Sequence, residues 1–260
     1  MAPCNFNKVR RSLLTLLVLG GVAVASLATG GCTIYHPQAV DIPLINHRGD
    51  TRIDASASMS FWLLPDAVNL NFTGSHGFND WLAGQFHVNY GGDNMYSQLA
   101  PGAYLRLGEH SVLEGYVGLG FGGTWRGTDS QDRHNEGEQG SQYGYELRGH
   151  YLLPFAQANI GWHSLTAAHI DIGFGMKVGA YNPDISYIDL DINGDPVAGS
   201  EERYTSPNLL LEPQMMLRLG SENVKFNIKI GMAMLSDVNQ DSGRFLYDIA
   251  TGSMGITIAF

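Results

Sequence analysis

The chain is predicted to be all-β: an up-and-down antiparallel transmembrane β-barrel of about ten strands, with counts of eight to twelve bracketing it. Three observations lead there. From Thr51 to Phe260 apolar and polar residues alternate in segment after segment, and successive side chains on a strand point to opposite faces. Every second connection is tight, while the long ones fall at the other joins. The charges within the segments fall on one parity and leave the other greasy.

The strands are preceded by an export signal. KVRR (8–11) and the apolar stretch 12–28 form its charged and hydrophobic regions, so residues 1–31 are assigned to a signal peptide. The following TGGC resembles a bacterial lipobox, which would make Cys32 a lipidated first residue. Thr29 stands where a leucine is usual, so cleavage by an ordinary signal peptidase stays open. Cys32 is the only cysteine beyond the signal, which excludes an intramolecular disulfide in the mature chain. Residues 32–50 hold two prolines and no clean period, and are expected to be a periplasmic tether to a barrel over 51–260.

The strands follow in order. TRIDASASMSF sets Ile53, Ala55, Ala57, Met59 and Phe61 against Arg52, Asp54 and serines. AVNLNFTGS sets Val68, Leu70 and Phe72 against Asn69, Asn71 and Thr73, and WLAGQFHVNY sets Phe86, Val88 and Tyr90 against Gln85, His87 and Asn89. MYSQLAPGAYLRL opposes Leu99, Leu105 and Leu107 to Gln98, Tyr104 and Arg106. LEGYVGLGFGGTW opposes Leu113, Val117, Leu119 and Phe121 to Glu114 and small residues. A less regular sixth segment, about 145–162, contains Pro154, expected at a bulge or an edge. HIDIGFGMKVGAY opposes Ile172, Phe174, Met176 and Val178 to Asp171 and Lys177. LLLEPQMMLRL opposes Leu209, Leu211, Met215 and Leu217 to Glu212, Gln214 and Arg218. VKFNIKIGMAML opposes Phe226, Ile228 and Ile230 to Lys225, Asn227 and Lys229, and LYDIATGSMGITIAF closes the chain. Tight turns fall at 77–80, 108–111, 164–168 and 220–223, and long connections at 126–142 and 182–207. Short turns at one end and longer loops at the other are the pattern of outer-membrane barrels.

The polar parity is expected to line the lumen. It carries Arg52, Arg106, Lys177, Arg218, Lys225 and Lys229 against Asp54, Glu114, Asp171 and Glu212, with His87 among them. Opposite charges can pair across a narrow lumen, whereas a Lys or Arg facing lipid costs about 2–4 kcal/mol at the bilayer midplane. Asp248 breaks the apolar parity near the loop end of the last strand. Phe61, Trp62, Trp81, Tyr90, Trp125, Trp162 and Tyr181 lie near strand ends and are expected in interfacial girdles. The last strand, with apolar residues at alternate positions up to Phe260, resembles the signal recognised by the outer-membrane barrel assembly machinery. Three of the 15 basic residues precede Cys32, so 12 basic and 25 acidic residues follow, a formal charge of −13 that argues against nucleic acid as a partner.

Candidate chemistry is sparse. DLDINGD offers Asp189, Asp191, Asn193 and Asp195 in the opening pattern of an EF-hand calcium loop, but Ser200 occupies the twelfth position and no helix flanks it. A hairpin tip with Asn193-Gly194 in a type I′ turn accounts for it equally well. The loop 127–142 groups Asp129, Asp132, His134, Glu136 and Glu138, best explained as a solvated acidic surface. His87, His169 and Asp171 are the residues a hydrolase would use, but no G-x-S-x-G motif accompanies them. No catalytic residue, metal or cofactor is assigned.

Taken together, TGGC, the DIPLINHRGD stretch (41–50) and the amphipathic strands ending in Phe260 resemble a group of Bacteroidota outer-membrane β-barrel proteins with a lipoprotein-type signal. The resemblance spans nearly the whole chain. It implies a Gram-negative outer-membrane location and a barrel fold, with no established catalysis. The expected function is that of a non-enzymatic integral outer-membrane barrel, for envelope support, surface contact through 126–142 and 182–207, or passage of very small solutes. Its expected partners are outer-membrane lipids and the assembly machinery. Two alternatives remain: a lipid-tethered, soluble, lipocalin-like binding barrel, and an outer-membrane hydrolase or protease.

Overall fold

The computed structural model describes residues 33–38, 42–61, 68–128, 144–166, 169–191, 193–236 and 246–260. The strands are β1 (Thr33–Tyr35), β2 (Thr51–Phe61), β3 (Val68–Gly77), β4 (Leu82–Tyr90), β5 (Asn94–Arg106), β6 (Ser111–Thr128) and β7 (Gly144–Trp162). They continue with β8 (Asp171–Leu190), β9 (Glu202–Tyr204), β10 (Asn208–Gly220), β11 (Val224–Met232), β12 (Met234–Leu235), β13 (Leu246–Tyr247) and β14 (Ala250–Ala259).

Ten of these strands close an antiparallel barrel. β2 to β8 pair in chain order, β8 pairs with β10, β10 with β11, β11 with β14, and β14 returns to β2. The seam runs from Ala250↔Phe61 to Ala259↔Arg52, and Phe260 and Thr51 exchange backbone hydrogen bonds at its lower end. Closure gives each of the ten barrel strands a neighbour on both sides. β12 carries the line of β11 onward beside β10, and β9 folds back on the outer half of β8.

The wall is apolar outside and polar within. Neighbours on β11 show it most sharply: Phe226 is 46% exposed and Lys225 is 5% exposed. Leu70, Leu99, Val117, Ile230, Met254 and Ile256 also face outward, while Asp54, Asn71, His87, Glu114, Asn159, Asp171 and Thr257 are buried. A water-soluble barrel would hide the first set. A lipid-facing barrel must display it, because a membrane offers the backbone no hydrogen-bond partners and rewards an apolar exterior.

Several expectations are corrected at this level. Pro154 marks neither a bulge nor an edge. It pairs with Leu119 of β6, and the β7–β8 register is the same on both sides of it, Leu152↔Asn182 and Phe155↔Gly179. Lacking an N–H, the proline interrupts the ladder on one side only. Pro101 does the same between β5 and β6, where Leu99↔Leu119 and Gly102↔Tyr116 share one register. The stretch 182–207 is not all loop: β8 continues to Leu190, and Arg203 on β9 holds Asp184 through two bonds of 2.7 and 2.8 Å. At about 3.3 Å per residue, the 20 residues of β8 far exceed the roughly ten a membrane strand needs, so the end of β8 and the start of β7, paired from Gly144↔Leu190, project from the loop end of the barrel. Tyr181 is not in a girdle but fully buried in the lumen. Trp81, Tyr90 and Trp125 do lie exposed near strand ends. Trp62 and most of the 126–142 connection lie outside the described residues.

Depth on the outer wall sets the cost of a charge. Ile228→Arg, at the middle of β11, is expected to destabilise the barrel by about 2–4 kcal/mol, and Val224→Arg, at its end, by about 0–1 kcal/mol. Urea titration of refolding in lipid vesicles measures both.

Candidate functional site

The lumen is occupied by the chain's own N-terminal segment. Residues 33–38 and 42–46 are buried throughout, so the part of the expected tether that is described lies inside the barrel rather than below it. β1 pairs in parallel with β13 near the loop end, and Ile45 and Asn46 lie where β2 begins at the turn end. Gly49, with φ +89°, adopts the left-handed conformation that turns the chain into β2. Asp50 closes this turn, its carboxylate accepting from the Asn46 and His47 amides at 2.9 Å each. These are the Gly and Asp of the DIPLINHRGD stretch, whose physical role is therefore a reversal from lumen to wall.

An irregular segment has no ladder to satisfy its backbone, and buried N–H and C=O groups need partners. Wall side chains supply them. Glu114 accepts from the Ile45 amide at 2.7 Å, and Glu212 accepts from the Gln38 amide at 3.2 Å and the Tyr35 hydroxyl at 2.8 Å. In the other direction Arg218 donates to Ile42 O at 2.8 Å, Arg52 to Leu44 O at 3.0 Å, and Tyr181 to Ile34 O at 2.7 Å. His36 Nδ1 lies 2.6 Å from Asp248 Oδ2. Asp248 precedes β14 and is buried, so the residue that broke the strand pattern is turned inward to hold the segment.

The wall is also hollowed to receive it. Gly118, Gly120 and Gly122 are inward positions of β6, where a Cβ would strike the rings of Phe155, Tyr96 and Tyr151. Tyr35 packs edge-on against Tyr151 and Tyr181, at 5.6 and 5.3 Å between ring centroids. Lower down, a Cβ on Gly161 would lie 2.6 Å from Leu44 Cδ2, and one on Gly173 would lie 3.0 Å from Ile42 Cγ2. Ile42, Leu44 and Ile45 thus fill grooves made by missing side chains and join a buried cluster with Tyr104, Val112, Tyr116 and Met216.

The eleven residues expected in the lumen have distinct surroundings. Asp171 meets Lys225 at 2.5 Å, Arg52 at 3.5 Å and Arg218 at 3.8 Å. Asp54 meets Lys229 at 2.5 Å and accepts from Asn227 and Thr257. Lys177 pairs with Glu212 at 3.2 Å, donates to Gln98, and sits 4.9 Å above the Phe155 ring. Glu114 binds Asn159 besides the segment. His87 bonds Thr73 at 2.9 Å, and no carboxylate meets its other nitrogen among the described residues. Arg106 is exposed. It lines a cavity of about 570 Å³ at the turn end, with Arg52, His110, His163, Lys225 and Phe260. Sequence parity could place these charges on one face. It could not show that the missing partner of many of them is the N-terminal backbone.

The calcium-like stretch is engaged otherwise. Asp191 accepts from the Asn193 and Asp195 amides, and the Asp195 N–H followed by that of Asn193 holds its carboxyl below the usual range. Asp189 accepts from Tyr187. Gly194 has φ +83°, and its N–H donates to Asp191 O at 3.0 Å. Among the described residues no three His, Cys, Asp or Glu side chains gather as a metal site. His169 and Asp171 flank the start of β8, but Asp171 is committed to the three cations. Cys32 lies outside the described residues.

No protein-family model and no curated protein matches the chain. Eight solved chains match, among them a KdgM porin at 11% identity and a TM-score of 0.37, covering 80% of this chain and 99% of that one. At that score the likeness carries no functional argument.

Lys177 is wholly buried, so removing its carboxylate leaves a charge without compensation. Glu212→Leu is expected to cost about 3–5 kcal/mol, and combining it with Lys177→Met to cost less than the sum of the two single changes. Urea unfolding of the two single variants and the double variant, read as a thermodynamic cycle, checks this.

Proposed function

We propose that the protein is a non-enzymatic integral β-barrel of the Gram-negative outer membrane, closed in its resting state by its own N-terminal segment. The observation that carries the reading is the fit of residues 33–38 and 42–46 into the lumen: carbonyls on arginines, amides on glutamates, and aliphatic side chains in glycine grooves. A barrel of ten strands has little more interior than side chains can fill, and here the remainder is occupied by chain. Envelope support and surface contact through 126–142 and the β8–β9 projection are therefore favoured over steady solute passage. Very small solutes would cross only with the segment displaced.

The outer-membrane assignment is supported by the greasy wall, the export signal, the even strand number and the apolar last strand ending in Phe260. Lipids are the partner of the wall, and the assembly machinery is the partner of the last strand. Acylation of Cys32 belongs to the same reading and rests on TGGC alone. A lipocalin-like soluble barrel would need the opposite distribution of Phe226 and Lys225. A hydrolase is disfavoured because His87 is buried against Thr73 and Asp171 is neutralised by Lys225, Arg52 and Arg218.

In planar bilayers the full-length barrel is expected to be silent or nearly so. A chain lacking 33–46, or one carrying Gly173→Leu, whose added Cβ would meet the Ile42 and Met216 side chains first, is expected to conduct while keeping heat-modifiable gel migration. Equal conductance in all three would overturn the closed reading. Cys32→Ala is expected to stay in the membrane fraction after salt and carbonate washes, since the wall and not the lipid holds it there; release into buffer would favour the tethered soluble barrel.

A further inference from the structure

The direction in which the segment runs has a consequence for the chain's first mature residues. Thr33 lies at the loop end: its carbonyl accepts from Thr124, the partner of Asn94 beside the 91–94 connection. Ile34 is bonded by Tyr181, which pairs with Asn208 at the start of β10, and Tyr35 pairs with Tyr247 just ahead of β14. Asn46 and His47 lie at the opposite end, with Asp50, beside the Phe260–Thr51 junction. The chain therefore traverses the lumen once before β2 begins and carries it back. Thirteen residue steps reach at most about 45 Å, enough to cross an apolar band of about 25 Å.

We propose that the mature N-terminus emerges on the cell-surface side, threaded through its own barrel. This rests on the outer-membrane reading, in which tight turns face the periplasm and long loops face outward. An acyl group on Cys32 is then placed for the outer leaflet, because Cys32 immediately precedes Thr33 and adjacent Cα atoms are about 3.8 Å apart. A periplasmic tether would put the same group in the inner leaflet. The modification site becomes a surface feature, a second contact with lipid at the rim that also bears the projecting outer ends of β7 and β8 with β9.

Three chains, each with one short hydrophilic epitope, test this in cells. The epitope is inserted between Cys32 and Thr33, at the 193–194 hairpin tip, or in the 221–223 turn. Antibody binding is read on intact and on permeabilised cells, with heat-modifiable migration confirming that each barrel is folded. The expected result is that the N-terminal and hairpin epitopes are bound on intact cells, with little gain on permeabilisation, and the turn epitope only after it. An N-terminal epitope shielded like the turn epitope, beside an accessible hairpin, overturns the proposal and leaves the membrane barrel standing. Hairpin and turn epitopes that behave alike overturn the membrane reading itself and this proposal with it. A second N-terminal chain, with a Gly/Ser spacer between epitope and Thr33, removes interference with folding and is judged by the same outcomes.

Discussion

Inside a closed barrel, a length of irregular backbone must be satisfied chiefly by side chains of the wall, and here only the short β1–β13 pairing relieves that demand. That constraint explains the lumen better than any pairing of wall charges with one another. Arg218 and Arg52 spend donors on Ile42 O and Leu44 O, and Glu114 and Glu212 spend acceptors on the Ile45 and Gln38 amides. Without the segment these groups would face one another or water. With it they form a continuous scaffold from the Tyr35–Glu212 contact to the Asn46–Asp50 turn.

The same segment accounts for Gly161 and Gly173, and neighbouring wall rings for the glycines of β6. On β6 they admit the rings of Phe155, Tyr96 and Tyr151, and on β7 and β8 they admit Leu44 and Ile42. Packing is as dense as in a soluble core only where side-chain volume is removed from one partner to seat the other. The apolar part of the lumen is therefore a true core, Ile34, Tyr35, Tyr96, Tyr151, Tyr181 and Leu210 at one level and Ile42, Leu44, Ile45 and Met216 at another. It is built by a barrel around a peptide instead of by one sheet against another.

Between these levels the wall is polar and bonded across strands without the segment's help. Asn71 donates to Ser58 and accepts from Asn89, and Asp54 gathers Lys229, Asn227 and Thr257. Charges here are tolerable because each has a partner within the ring of strands, and removal of one partner is costlier than removal of both.

Alternation by itself determined the strands and sorted their side chains onto two faces, because a period of two is a local property that every residue reports. Closure of the sheet and the inward turn of the polar face are features of the folded chain. Alternation also put Asp54, Glu114, Asp171, Lys177, Glu212, Arg218, Lys225 and Lys229 on one parity, and each is buried. What lay inside the barrel was decided by tertiary structure alone. Residues 33–50 have no period, since a segment held by side chains from many strands imposes no repeat on its own sequence. Tyr181 and Asp248 were misplaced for the same reason: a strand that runs on past the membrane, or breaks at 248–249, changes a residue's surroundings without changing its parity signal. Glycines on β6, β7 and β8 were visible as small residues, but only the folded chain shows that their emptiness is the shape of another part of the same molecule.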